Sequence, residues 1–189
     1  MIGQSLCDEK RGDLTQAARR LDAALRDRPE SLRLVLARAG VEERRGDWRR
    51  ALEIVRAALA KEPRSAGLLN FVGFVSADHG GDVPAALTFT QAALALDPAA
   101  AGIMDSVGWA CFRLGDDARA SLFLEQAARL EPGDPEILAH VADLSAHKGD
   151  PKRAGELYRR ALADKPDARL RKDIEARLRA IETRSPAER

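Results

Sequence analysis

Hydrophobic positions along the chain recur at the three- and four-residue spacing of an amphipathic α-helix. The pattern is clearest in residues 105–132 and just before them. One helix face there carries Met104, Val107, Gly108 and Cys111, and a second carries Ala120, Leu124, Ala127 and Leu130. Gly115 and Asp116 separate the two runs, and Pro132 ends the second. This stretch predicts a helical hairpin whose other apolar face needs neighbouring hairpins to cover it.

The same hairpin pattern occurs five times along the chain. Gly-Asp pairs begin at Gly12, Gly46, Gly81, Gly115 and Gly149, at intervals of 34, 35, 34 and 34 residues. Three further series keep those intervals: Pro29, Pro63, Pro98, Pro132 and Pro166; Ala17, Ala51, Ala86, Ala120 and Ala154; and Ala24, Ala58, Ala93, Ala127 and Ala161. The glycine allows a left-handed helix end, the aspartate caps the next helix, and the alanines allow close helix approach.

This 34-residue pattern resembles the tetratricopeptide repeat (TPR) family, whose unit is a helix-turn-helix. The resemblance covers residues 1 to about 166 and implies an all-α fold, a right-handed α-solenoid of about five TPR hairpins. The segments LNFVGFVSADHGG, DSVGWACFRLGDDARA and EILAHVADLSAHKGD also resemble consecutive repeats of bacterial envelope-associated TPR proteins.

The expected domain organisation follows from the glycine, aspartate and proline residues that recur at the turns of each repeat. A TPR array should span residues 1–166, with repeats at about 1–29, 30–63, 64–98, 99–132 and 133–166. The third repeat contains one extra residue, Gly80 or Gly81. A capping helix is predicted over 167–183 from the stripe Leu170, Ile174, Leu178 and Ile181, followed by a disordered tail at 184–189.

Charge is unevenly distributed over this array. Residues 65–135 carry 3 basic and 9 acidic side chains, against 15 and 11 in residues 1–64 and 13 and 10 in residues 136–189. The central surface should therefore be unusually apolar or well covered, and we expect a binding face there. The chain has no basic block or base-stacking motif to favour nucleic acid, and no apolar run near membrane-spanning length.

The family resemblance implies that the first helices of successive hairpins line a concave groove that holds a peptide. Helical spacing then gives the predicted partner-binding residues: Asn70, Phe74, Asp105, Trp109, Phe112, Arg113, Asp143 and His147. Phe74, Trp109 and Phe112 would form an apolar floor, or would instead be buried by neighbouring helices. The Lys, Asn and Arg clamp with which some TPR proteins bind a C-terminal carboxylate is absent, so an apolar or mildly basic segment is expected.

Candidate chemistry is sparse. No nucleophile elbow, phosphate-binding glycine loop or converging Cys and His pair is present, so we expect no enzyme activity and no cofactor. His140, Asp143 and His147 lie at i, i+3 and i+7, but three ligands on one helix are more often solvated surface than a metal site. Cys111 is expected to pack as a small apolar residue, and His79 to be solvated.

The sequence thus predicts a non-enzymatic scaffold or adaptor that binds a partner protein segment in its concave groove. Two alternatives are a self-assembling structural subunit and a spacer module of a larger envelope protein. Only 11 residues precede Gly12, about three fewer than a complete first helix and turn need, so we expect a fragment or trimmed descendant. The compartment stays open: cytoplasm if the chain is complete, periplasm or envelope if it derives from a longer exported protein.

Overall fold

The computed structural model of the chain describes residues 13–183 and contains ten α-helices, without a strand in that range. The helices are α1 (Leu14–Asp27), α2 (Leu32–Arg44), α3 (Trp48–Leu59), α4 (Ala66–Asp78), α5 (Val83–Leu96), α6 (Ala101–Arg113), α7 (Asp117–Leu130), α8 (Pro135–His147), α9 (Pro151–Ala163) and α10 (Ala168–Thr183). The predicted fold class, an α-solenoid of helical hairpins, is confirmed.

The chain divides into two compact units, an N-terminal unit (Met1–Pro98) and a C-terminal unit (Ala99–Arg189). In the N-terminal unit each helix from α1 to α5 packs against the next, and α2 also contacts α4. In the C-terminal unit α6 to α10 pack in the same serial manner, and α8 contacts both α6 and α10. First helices of successive hairpins are therefore neighbours within each unit.

The turns inside the hairpins have the predicted glycine and aspartate geometry. Four turn glycines have positive φ: Gly46 (88°), Gly80 (71°), Gly115 (77°) and Gly149 (80°). The aspartates that follow accept a hydrogen bond from a backbone N–H in the first turn of the next helix, as Asp116 does from Arg119 at 3.0 Å. Because the left-handed residue of the third repeat is Gly80, the inserted residue is Gly81.

Small residues let the two helices of each hairpin approach closely. Apart from the half-buried Ala58, every alanine of the two repeat series is fully buried. A Cβ atom added to Gly108 would lie 2.7 Å from Leu124 Cγ, and one added to Gly73 would lie 2.5 Å from Thr90 Cγ2. Both distances are below van der Waals contact, so the α6–α7 and α4–α5 crossings have no room for a larger side chain.

The last helix covers the end of the C-terminal unit. On α10, Ile174 is fully buried, while Leu170, Leu178 and Ile181 are half-buried among exposed charged residues. The apolar side chains of α10 therefore lie on the side of the helix that packs against α8 and α9. Cys7, the incomplete first helix and the predicted disordered tail lie outside the described residues.

Candidate functional site

A buried charged pair joins the first helices of the C-terminal unit. His140 Nδ1 on α8 donates to Asp105 on α6, at 2.8 Å from Oδ2, and the two side chains are 7% and 5% exposed. The ring of Trp109 stacks on the imidazole, with centroids 4.2 Å apart and planes inclined by 19°. Asp105 and Trp109 are one helical turn apart on α6, which places both against the same side chain.

Electrostatics keep this pair charged at neutral pH. Burial alone disfavours the imidazolium, but the Asp105 carboxylate outweighs burial and raises the pKa of His140 to about 9. Glu136 and Asp143 add smaller contributions in the same direction. The interface between α6 and α8 therefore contains a buried ion pair. Removing either partner would leave the other buried without a counter-charge.

An aromatic cluster extends from this pair to the surface; we define it as Trp109, Phe112, His140 and His147. The half-buried Phe112 ring lies 5.2 Å from Trp109 and meets His147 edge-on at 5.5 Å. The exposed side chain of His147 is 3.4 Å from Asp117. The Arg113 guanidinium is 5.9 Å from the Trp109 ring centroid, within cation–π range. The cluster thus ends at the surface in the rings of Phe112 and His147, with the Arg113 guanidinium beside it.

Asp143, another predicted site residue, connects three helices. Its carboxylate accepts a hydrogen bond from the hydroxyl of buried Tyr158 on α9 at 2.5 Å, and another from Arg177 on α10. Burial raises the pKa of Tyr158, and the carboxylate of Asp143 raises it further. Asp143 therefore helps to hold the capping helix against α8 and α9.

The remaining predicted residues, Asn70 and Phe74, lie on α4 of the N-terminal unit and are half-buried. Phe74 packs against the apolar core of that unit. The structure thus brings together Asp105, Trp109 and Phe112, the first two of them buried and only 3% and 5% exposed. In the C-terminal unit, Phe112, Arg113 and His147 are the predicted residues that reach the surface.

The sequence interpretation missed the ionic partners. The sequence favoured a solvated position for His140 over a metal site, but the residue is buried and pairs with Asp105. His79 is not solvated as expected: its Nε2 lies 3.0 Å from Glu43 Oε1, and its ring stacks on Trp48 at 5.5 Å. Three acid–base pairs are separated by about one repeat, Glu43 and His79 by 36 residues, Asp105 and His140 by 35, Asp143 and Arg177 by 34. Acidic and basic side chains one repeat apart in the sequence could therefore have indicated these ion pairs.

Other features bear on candidate chemistry. Within residues 13–183, no group of three or more His, Cys, Asp or Glu side chains is arranged to hold a metal ion. Cys111 is fully buried, as predicted, and burial raises the pKa of its thiol. Of the helices described, none combines the length and the apolar character that crossing a membrane requires.

The comparison with protein families gives one match. The sequence model of the tetratricopeptide repeat family matches residues 6–165 of this chain. Proteins built from these repeats are generally non-enzymatic and typically bind other proteins. No curated protein sequence matches the chain.

Several solved structures are similar. A thermophilic TPR protein of Thermus thermophilus has a TM-score of 0.79 and 22% identity over 95% of this chain and 96% of its own. PilF of Pseudomonas aeruginosa has a TM-score of 0.66 and 24% identity, over 95% and 86%. MamA of Desulfovibrio magneticus has a TM-score of 0.61 and 20% identity, over 86% and 92%. At these identities the likeness concerns the fold.

Proposed function

This chain belongs to the tetratricopeptide repeat family, and we propose that it is a non-enzymatic adaptor that docks a segment of a partner protein on the first helices of its hairpins. The observation that carries the proposal is the aromatic cluster of the C-terminal unit, which rests on a buried ion pair and ends at the surface. A rigidly supported aromatic edge is the arrangement in which interface hot spots are found.

The proposed face has a supporting layer and a contact layer. The imidazole of His140, held by Asp105, stacks on the Trp109 ring. The Trp109 ring in turn contacts Phe112. Phe112, with Arg113 and His147 beside it, forms the contact layer. Side chains whose rotamers are locked by packing lose little conformational entropy on binding, which favours affinity.

On the N-terminal unit, Asn70 and Phe74 occupy the positions on α4 that Asp105 and Trp109 occupy on α6, since the two pairs lie 35 residues apart. Unlike their buried counterparts they are half-buried, and they are proposed as the ligand contacts of the N-terminal unit. Asp143 is assigned to the same face through α8, where it positions the surface rather than contacting the ligand, because Tyr158 and Arg177 already use its carboxylate.

The expected ligand is an apolar or mildly basic segment. Residues 65–135 hold 9 acidic and only 3 basic side chains, which favours a ligand of positive or neutral charge. Asp117 beside His147 and Glu136 near His140 are acids on the same unit that such a residue would approach.

The test is quantitative capture from an extract of the cells that produce the protein, with partners identified by mass spectrometry. Phe112→Ala should lower the yield of the specific partner at least tenfold while the helical circular dichroism stays unchanged. The matched control is Leu122→Ala on α7, which removes an apolar side chain that is 58% exposed away from the cluster. Equal capture by both variants would contradict the proposed face.

Self-assembly is the competing function, and exposed leucines on the C-terminal unit favour it. Leu122 and Leu130 are 58% and 51% exposed and lie eight residues apart on one face of α7. Sedimentation velocity across a hundredfold concentration range separates the two functions. A monomer throughout agrees with an adaptor, whereas a constant oligomer that dissociates in Leu122→Ala would establish self-assembly through α7.

A further inference from the structure

A second surface lies on the second helices of the N-terminal unit. A cavity of about 410 Å³ opens between α3 and α5. Trp48, Leu52 and Phe89 form its apolar part, and Arg49 and Arg56 also line it. The inserted glycine of the third repeat, Gly81, also lines it.

Comparison with the C-terminal unit explains why the cavity exists. Between α7 and α9, Arg153 bridges to Glu125 at 3.1 Å, and Lys148 bridges to Ser121 at 3.0 Å. The repeat intervals place Arg56 and Ala85 at the positions of Glu125 and Arg153, and Leu52 at the position of Ser121. Both polar bridges are therefore missing from the N-terminal unit, and the space between its second helices stays open.

The charges at the cavity are not balanced. Its two carboxylates are already engaged, since Glu53 pairs with Arg50 at 2.7 Å and Asp82 caps α5 through the Ala85 N–H at 3.0 Å. Arg49 lies over the Trp48 ring, 4.3 Å from its centroid. Within residues 13–183, Arg56 has no ion-pair partner.

Between its two caps, the helix opposite these cations carries no charge. The α5 sequence VPAALTFTQAALAL contains no charged side chain, whereas the exposed faces of α3 and α9 are rich in arginine. A ligand with carboxylates therefore meets the arginines of α3, and the acid on the α5 side is Asp82 at the N-cap, whose carboxylate accepts from the Ala85 N–H.

We propose that this cavity is a second docking site, which takes an acidic helical peptide segment whose apolar side chain enters between Trp48 and Phe89. Arg49 and Arg56 lie seven residues apart on α3 and therefore on one face, roughly 10 Å from each other along the axis. A partner helix with acids at i and i+7 and a leucine at i+4 has the same spacing. Its carboxylate supplies to Arg56 the charge that Glu125 supplies to Arg153 in the C-terminal unit.

The experiment uses the ¹⁵N-labelled full chain and a synthetic, capped, alanine-rich helical peptide with glutamates at its fourth and eleventh positions and a leucine at its eighth. The chain has two tryptophans, so the indole N–H signals of Trp48 and Trp109 report the cavity and an internal control. The Trp48 signal should move saturably while the Trp109 signal stays in place. A peptide with glutamines in place of the glutamates should bind at least tenfold more weakly.

Two variants separate recognition from folding. Arg56→Glu combined with Ala85→Arg rebuilds the bridge of the C-terminal unit, and should abolish the Trp48 shift while leaving the thermal melt close to wild type. Arg56→Gln alone should weaken binding at least fivefold. This single variant replaces the double variant in the test if the double variant has a clearly lower melting temperature than wild type. Arg153→Ala, which opens the equivalent bridge in the C-terminal unit, should leave the Trp48 response unchanged.

Three results would overturn the proposal. They are an unmoved Trp48 signal at millimolar peptide, equal binding of glutamate, glutamine and lysine versions of the peptide, or full binding by the bridged variant. If the Trp48 signal instead shifts with protein concentration in the absence of peptide, the occupant is a second copy of the chain and not an acidic segment.

Discussion

The two compact units share one repeat pattern, but their ionic groups lie at different positions. In the C-terminal unit the pair Asp105 and His140 is buried between the first helices, and bridges such as Arg153 to Glu125 join the second helices. In the N-terminal unit the positions equivalent to the buried pair are Leu36 and Phe71, which pack against an apolar core. The bridge there is replaced by an open cavity.

This difference shows which positions of the repeat are free to vary. Turn glycines, capping aspartates and crossing alanines recur in both units because backbone geometry requires them. Side chains between hairpins have no such backbone requirement, so they distinguish one surface from another. Function in this chain is therefore expected at the positions that break the repeat.

The largest expected effect comes from breaking the buried pair. Asp105→Ala leaves His140 buried without its counter-charge, which should lower the free energy of unfolding by about 3–5 kcal/mol. Urea denaturation monitored by circular dichroism measures it. Asp105→Leu with His140→Phe copies the apolar pair of the N-terminal unit and should be within about 1.5 kcal/mol of wild type. An unchanged free energy of unfolding in Asp105→Ala would mean that the ion pair does not stabilise the fold.

The next effect is a pH dependence that the C-terminal unit alone should cause. The pKa of His140 is about 9 in the folded chain and about 6.5 in an unfolded one. The folded state thus binds more protons in that interval, so the stabilisation is complete below about pH 6.5 and is lost as pH rises through 9. The loss should total roughly 3 kcal/mol, at about 1.4 kcal/mol per pH unit.

Urea melts between pH 6 and pH 10 follow this loss. The control is the double variant Asp105→Leu with His140→Phe. Its free energy of unfolding should not show the loss that His140 causes over the same pH range. A parallel decline in both proteins would assign the pH dependence to groups other than His140.

Overpacking a helix crossing should have a moderate effect. Ala127 has no exposed surface, on the α7 face that packs against α6. Ala127→Leu should therefore cost about 1–3 kcal/mol, whereas Arg129→Gln on the exposed side should change stability by less than about 0.5 kcal/mol. Thermal melts compare them, and an unaltered melting temperature for Ala127→Leu would show that the repeat register is misassigned.

The smallest effect concerns the bridge between the second helices. Arg153 and Glu125 are about half exposed, so Arg153→Ala should cost only about 0.2–1 kcal/mol. Its informative consequence is local: it should speed amide hydrogen exchange at the start of α9. No change in exchange there would mean that the bridge does not hold the two helices together.

The sequence was sufficient for the framework because local chemistry decides it. Asp116 caps α7 and Gly115 has positive φ, as their residue types and spacing require. The site was only partly predictable. Trp109 was placed on the correct helix, yet whether its ring is exposed depends on the neighbour opposite it, His140, one repeat further on. That neighbour follows from helix packing and not from the spacing on a single helix.

A charged pair supports the aromatic cluster of the C-terminal unit, and an NMR titration of His140 tests this support most directly. The chain has three histidines, and His140→Gln assigns the signal. We expect a midpoint near the pKa of about 9, with the Phe112 ring signals moving over the same range. A His140 midpoint at or below 6.5 would contradict it, because Asp105 would then not hold a charged imidazolium beneath Trp109.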